Sequence, residues 1–418
     1  MTWLRSRHRK PPRSSAESEP HGAAFPGDVG TREDDTAGIV VPSVIMQARI
    51  SLVTRHDTTW RNAHNFSGGP GALPQVVLDQ MAQAMIEVPE VGLSLLGISH
   101  RSDWFRAVVD ESERIIRDLL GLDDQWSILL LQGGATLQFS MALANLGCGP
   151  QTPVDWVRGG YWSAKAMSEA AAVCRPRVAW DGAPDGYRGL PLWGDLDLQS
   201  SVLHYVSNET VEGLQFRDPP PRDPHRLTVC DMSSDFLSRP IDIDAYDVIY
   251  AHAQKNIGPA GVTVVLVRQA LLDRPPVPGL PPMLDWRIHA LAGSIYNTPP
   301  VAAIYTLLLV LRWMRDRVGS LERMAAINAA KAAAIYAALD ARPEVYVPHA
   351  AVPWRSAMNA AFRLRDPVRE PAFRAALAEA GCTGLDGHRS LGGFRISLYN
   401  AVTLDATQDL ARLLSQWT

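Results

Sequence analysis

The chain reads as an α/β protein built on a mainly parallel sheet covered by helices. Trp126 to Leu131 is a continuous apolar run of strand length, as expected of a strand buried on both faces. Val108 to Leu120 places apolar pairs at Val108/Val109, Ile115/Ile116 and Leu119/Leu120, then stops at Gly121, which predicts an amphipathic helix with a glycine end. A glycine turn after Leu131 leads into a helical pattern from Leu137 to Leu146. Further strand-like runs follow at Val202 to Val206, Thr228 to Cys230, Val248 to Tyr250 and Val262 to Val267. Strands that alternate with helices pair in parallel.

Beyond these elements, the proline-rich stretch from Arg274 to Pro282 predicts a loop, and Arg287 to Tyr296 reads as its irregular continuation. A long helix beginning near Pro300 leads toward a smaller domain, where Ile327, Lys331, Ile335 and Leu339 mark an Ala-rich amphipathic helix.

At 418 residues there is material for two domains. A net charge of −4 offers no global positive field for nucleic acid or an anionic membrane. The longest apolar stretches, such as Val301 to Val310, are too short to cross a bilayer. Cys148, Cys174, Cys230 and Cys382 are widely spaced, which predicts reduced core thiols in a cytoplasmic protein and neither a disulfide frame nor a metal site. Residues 1–60 differ: Arg5, Arg7, Arg9, Lys10 and Arg13 precede a stretch rich in Pro, Ser, Gly and acids. That composition predicts a disordered extension, either a solvated tail or a start codon set too early. Glu17, Glu19, Glu33, Asp34 and Asp35 argue against a transit peptide.

Lys255 is the most informative residue. It follows the apolar run Val248 to Tyr250 and precedes Gly258-Pro259-Ala260-Gly261, so an amine stands on a rigid turn at a strand end. Desolvation lowers a lysine toward its neutral, nucleophilic form. Such an amine suits Schiff-base chemistry with a carbonyl, most commonly that of pyridoxal 5'-phosphate (PLP). The turn Gly133-Gly134-Ala135-Thr136 reads equally as a phosphate cradle at a helix start or as an ordinary tight βα turn. Asp231 ends the Leu227 to Cys230 strand, where a carboxylate can hold a pyridinium nitrogen protonated.

Several segments occur in one order: Asn65 to Pro70, Ile98 to Ser102, Gln132 to Thr136, Asn208 to Thr210, Asp231 to Asp242, Gln254 to Gly261, Asn297 to Pro300 and Gly387 to Arg389. In that order they resemble the phosphoserine aminotransferases, within the class V, fold type I PLP-dependent aminotransferases. The resemblance runs from about residue 62 to 405. It implies a large PLP-binding domain over 61–311, with a mainly parallel seven-stranded sheet, whose first residues can pack on a smaller α+β domain over 312–418.

The resemblance also assigns roles. Lys255 holds the cofactor and moves the substrate proton. Ala135, Thr136 and Gln254 contact its phosphate, Trp162 stacks on its ring, and Asp231 faces its nitrogen. Thr210 lies near its ring hydroxyl and phosphate. Asn297 and Thr298 reach the cofactor of a second subunit, which implies a homodimer with shared active sites. Arg395 forks the substrate α-carboxylate, while His100, Arg101, His388 and Arg389 surround the distal phosphate or γ-carboxylate. Gly68 stands close to substrate, where relatives often carry Ser or Ala.

The implied reaction moves the amino group of L-glutamate to 3-phosphohydroxypyruvate, giving O-phospho-L-serine and 2-oxoglutarate for serine biosynthesis. Formation of 4-phosphohydroxy-L-threonine in pyridoxine biosynthesis is a further use of the same chemistry. Two alternatives stand beside it: a pathway-specialised class V aminotransferase with another keto-acid acceptor, and a non-catalytic PLP-binding protein.

Overall fold

A computed structural model describes residues 62–418; the disordered extension expected over 1–60 lies outside the described residues. The chain opens with α1 (Gln75–Ile86) and α2 (Asp103–Leu120). Ser102 caps α2 through a bond from the Phe105 N–H, and Gly121 ends it in the left-handed region at φ 63°. Then come β1 (Trp126–Leu131), α3 (Gly134–Asn145), β2 (Pro153–Arg158), α4 (Tyr161–Ala170), β3 (Arg175–Asp181), β4 (Val202–Val206), a short hairpin of β5 (Asn208–Glu209) and β6 (Leu214–Gln215), β7 (Leu227–Asp231), β8 (Val248–His252) and β9 (Thr263–Arg268).

Seven of these strands form one sheet in the order β1-β9-β8-β7-β4-β2-β3. Only β9 runs against its neighbours, β1 and β8; the other pairs are parallel. The period of two along each strand sends alternate side chains to opposite faces. Ile128 and Leu130 join one core with Ile249, Ala251, Val264 and Leu266. Leu129 and Leu131 join the other with Val248, Tyr250, Val265 and Val267. The first core is roofed by Phe105, Val108 and Ile115 of α2 and by Leu307, Leu308 and Leu311 of α7 (Val301–Trp313). Phe139 and Leu143 of α3 and Ala166 and Ala170 of α4 cover the second.

Three elements depart from the sequence expectations. Arg287 to Tyr296 is not irregular throughout: after a single turn, α5 (Gln269–Leu272), the chain forms α6 (Trp286–Leu291). Asp285 caps α6 through a bond from the Arg287 N–H, and Trp286 is buried in the core, so tertiary packing makes a helix too short to show a period. β2 and β3 escaped notice because polar residues interrupt them. Asp155 is buried within β2 by the Gln199 and Ser200 N–H groups, and the edge position of β3 tolerates Pro176.

A second core gathers around the antiparallel sheet β10 (Tyr346–Pro348), β11 (Asn359–Leu364) and β12 (Phe394–Ser397). It is packed by α8 (Leu321–Asp340), α9 (Glu370–Glu379) and α10 (Leu404–Gln416), with Ile335, Leu339, Phe362, Phe373, Ile396 and Leu410 buried. Phe66, from the start of the described chain, is fully buried in this same core. Its N–H donates to Thr383 O and its carbonyl accepts from Ser397 N–H. Among the described residues, no helix is long and apolar enough to cross a membrane.

Candidate active site

β1, β2, β4, β7 and β8 all end on one edge of the large sheet, and chemistry-bearing side chains gather there. Asp231 is the last residue of β7 and Lys255 stands on the turn after β8. The lysine side chain is only partly covered, yet its amine lies deep enough that desolvation pulls it down to about 8. Asp231 opposes that pull, while Arg395 adds to it. The Asp231 carboxyl is itself raised, first by burial, with Lys255 and the Ser233 N–H at 2.8 Å acting the other way. The amine lies 4.9 Å from the centre of the Trp162 ring. The Trp162 indole N–H donates to Thr210 Oγ1 at 2.8 Å, so these two side chains hold one another.

Trp162 owes its place to a pair of acids that sequence reasoning passed over. Glu209 accepts from the Trp162 and Ser163 N–H groups at 2.9 and 2.8 Å, and Glu212 accepts from the Tyr161 N–H at 3.0 Å. Together they take up three N–H groups left free at the start of α4, where the helix dipole also favours negative charge. Gly160 is needed for this approach, since a Cβ there would stand 2.5 Å from Glu212 Oε2 and 2.7 Å from Glu209 Cδ. Burial, and then repulsion from Glu209, raises Glu212 to about 8. Burial likewise raises Glu209. The signal was visible: two glutamates in the run Asn208 to Gln215, which is otherwise uncharged and is buried throughout.

β12 of the second core brings Arg395 to the same place, with Nη1 3.5 Å from Thr210 O. Its guanidinium packs on Gly68, and Tyr399 O–H donates to Gly68 O at 2.9 Å. His388 packs tilted against Tyr161, with ring centres 4.5 Å apart, and reaches Trp162 at 6.5 Å. Its imidazole is lowered, first by burial and then by Arg395 and Arg389. Arg389 is exposed. Gln254 precedes the lysine, and its carbonyl accepts from Gly71 N–H at 2.7 Å.

Ala135 and Thr136 lie in the first turn of α3, whose N-terminal N–H groups have no side-chain cap. Gly133 precedes them in the left-handed region at φ 94°. His100, Arg101, Asn297 and Thr298 are not drawn to the lysine by any direct contact. His100 and Thr298 line a separate cavity of about 660 Å³ with Met81, Met85, Leu96 and Pro299. Asn297, Thr298 and Arg101 are exposed. One bond ties this face to the site: Gln132 Nε2–H donates to Thr298 O at 2.8 Å, just before the Gly133 turn.

The donor set at the sheet edge fits PLP. An uncapped helix start suits a phosphate, an indole face suits a ring, a buried acid suits a ring nitrogen, and a desolvated amine suits an aldehyde. Arg395 Nε and Glu212 Oε2 are buried beside these groups without hydrogen-bond partners. Orphaned polar atoms of that kind mark a place built for a polar ligand.

Comparison with known proteins follows the geometry. Residues 63–410 match the family model for aminotransferase class-V. The chain is 40% identical over 365 residues to the phosphoserine aminotransferase of Nitrosomonas europaea, covering 85% of this chain and 98% of that one. It is 41% identical to that of Geobacillus kaustophilus, with the same coverage. Among solved structures, the phosphoserine aminotransferase of Bacillus circulans subsp. alkalophilus matches with a TM-score of 0.80 at 38% identity, over 84% of this chain and 97% of that one. The PLP-bound phosphoserine aminotransferase of Trichomonas vaginalis matches at 0.78 and 33%, over 84% and 99%.

Proposed function

The chain belongs to the class V aminotransferases, PLP enzymes of fold type I, and we propose that it moves the amino group of L-glutamate to 3-phosphohydroxypyruvate, giving O-phospho-L-serine and 2-oxoglutarate. The observation that carries this reading is the meeting of Lys255, Asp231, Trp162 and Arg395 at one sheet edge, in a chain about 40% identical to phosphoserine aminotransferases along most of its length.

Bound at this edge, PLP supplies an electron sink and a carrier for the amino group. In this reading the α3 start, with Ala135 and Thr136, holds its phosphate, Asp231 its ring nitrogen and Trp162 its ring face, while Thr210 and Gln254 close the rim. Lys255, held near neutrality, takes the proton from the glutamate Cα and returns one to the Cα of the keto acid. Arg395 forks the α-carboxylate of each acid in turn. His388 and Arg389 face the distal anion.

His100, Arg101, Asn297 and Thr298 have a role in this reading only if a second copy of the chain is added. His100 and Thr298 line a cavity that also exposes Met85 and Leu96, which suits a homodimer in which His100, Arg101, Asn297 and Thr298 complete the partner's site. A division into a PLP-binding domain over 61–311 and a smaller one over 312–418 belongs to the same reading. So does a cytoplasmic location, which the four unpaired cysteines support.

Steady-state assays with glutamate and a panel of keto acids test the function. Phosphohydroxypyruvate should show the highest kcat/KM. A preference for pyruvate, glyoxylate or oxaloacetate would overturn the assignment.

A further inference from the structure

Lys331 of α8 is fully buried in the second core, and among the described residues no charged group shifts its amine. Its Nζ donates to three carbonyls, Leu398 O, Tyr399 O and Val402 O, each at 2.9 Å. Burial pulls the amine down to about 7, whereas three converging carbonyls favour the ammonium with its three hydrogens. A buried charge is costly, and a methionine would fill this core without that cost. The lysine is explained by what its acceptors do next.

The segment 398–402 leaves β12, which carries Arg395, and touches the large sheet's reactive edge. The Asn400 N–H donates to Asn256 Oδ1 at 2.9 Å, and Asn256 is the neighbour of Lys255. Asn400 Nδ2–H donates to Leu237 O, and Asn256 Nδ2–H to Phe236 O, both on the turn that follows Asp231. Leu237 is held at φ 54°, a conformation that non-glycine residues adopt only when their surroundings demand it. Asn328, one turn before Lys331, donates to Asn400 Oδ1 at 2.9 Å and to Ser238 O at 3.0 Å. Tyr399 supports Gly68, against which Arg395 packs.

The geometry points to Lys331 as a positioning residue for the transamination: its ammonium fixes the 398–402 segment, which sets Lys255 through Asn400 and Asn256, and seats Arg395 through Tyr399 and Gly68. This inference rests on the proposed function. It assigns Lys331 no contact with substrate or cofactor. Displacement of the amine and the fork by a fraction of an ångström is the expected consequence of its loss.

The test compares Lys331→Met with Ile335→Ala, which empties part of the same core one turn further along α8. Both variants are loaded with PLP, and thermal midpoints, steady-state constants and the pH titration of the cofactor's visible absorbance are measured. Amide exchange is followed in the cofactor-free proteins. Lys331→Met should lower kcat about ten- to a hundredfold, as small misplacements of reacting groups do. It should also move the absorbance midpoint and speed exchange over both 398–402 and 254–257. Ile335→Ala should lose as much thermal stability or more while keeping wild-type kcat and midpoint. If Lys331→Met does not accumulate as folded protein, Asn328→Ala breaks the next link and carries the same expectations.

Equal behaviour of the two variants, or a Lys331→Met protein with wild-type kcat and absorbance midpoint, would overturn the inference. A wild-type protein that does not transaminate glutamate would instead sink the functional reading. Amide exchange over 254–257 would still decide whether Lys331 governs the lysine turn.

Discussion

The guanidinium of Arg395 occupies the volume that a side chain at Gly68 would take: a Cβ on Gly68 would lie 2.0 Å from Nη2 and 2.3 Å from Cζ. The guanidinium proposed to fork the α-carboxylate is therefore seated against bare backbone.

Gly68→Ala should push that fork out of place. Arg395 is the far end of a flexible side chain, so the core should absorb the methyl group at little cost in thermal midpoint. The loss should fall on substrate binding. KM should rise for every amino and keto acid, with kcat/KM falling by roughly tenfold, or about 1.4 kcal/mol. Unchanged kinetics would show that Arg395 has a second seat of equal quality.

Capture of PLP by the cofactor-free protein should follow the Lys255 amine. A lysine lowered to about 8 is charged below that pH and neutral above it, so capture should quicken as pH rises through 8 and then level off. Asp231 raises this amine, so Asp231→Asn should move the midpoint to lower pH while weakening cofactor retention. Stopped-flow absorbance gives the midpoint. Borohydride reduction followed by peptide mapping should place the cofactor on Lys255; labelling of another lysine would contradict the assignment, and Lys255→Ala should lose most turnover.

The arginines should separate by substrate. Loss of one partner of a desolvated ion pair costs on the order of 2–5 kcal/mol. Arg395→Ala should weaken all acids about equally. Arg101→Ala and Arg389→Ala should weaken glutamate and phosphohydroxypyruvate but spare alanine and pyruvate, which carry no distal anion. If Arg101 serves the neighbouring subunit, mixing Arg101→Ala with Lys255→Ala protein should restore activity, because one composite site in each mixed dimer keeps both residues. No recovery on subunit exchange would place Arg101 in its own chain's site.

The acid pair at the α4 start makes stability fall as pH rises. Glu212 is raised to about 8 in the fold from an ordinary value of 4.5. Its stabilising share is complete below 4.5, is lost progressively as pH climbs from there to 8, and changes little above that. Glu212→Gln should therefore match wild type near pH 4 and exceed its thermal midpoint at pH 9 by several degrees. Glu209→Gln should not help, because its two oxygens serve two N–H donors and an amide can serve only one.

Much of this was legible because strands buried on both faces are written as unbroken apolar runs. β1 and β4 have the bounds their apolar runs predict, and Asp231 and Lys255 stood out as polar residues at the ends of such runs. Where burial is achieved by hydrogen bonding, the pattern fails. Asp155 sits inside β2, and Glu209 and Glu212 sit in a short hairpin, held by amides at the start of α4 that no period describes. Lys331 fitted its helical stripe by position, but its charge gave no hint that three carbonyls lay opposite. The short α6 had too few residues to show a period at all.

Phe66 bonded between Thr383 and Ser397 has a consequence for the order of synthesis. The strands of the large sheet have all left the ribosome by Arg268, whereas Phe66 must wait for residues more than three hundred positions later. Until then the Gly68 to Gly71 segment can be held at Gly71, whose N–H reaches Gln254 O, but neither Arg395 nor the Tyr399 support of Gly68 exists. Non-local pairings of this kind are formed late and slowly. A nascent chain can thus complete the sheet that bears Lys255 well before it can recognise an acid, so substrate recognition arrives with the last tenth of the protein.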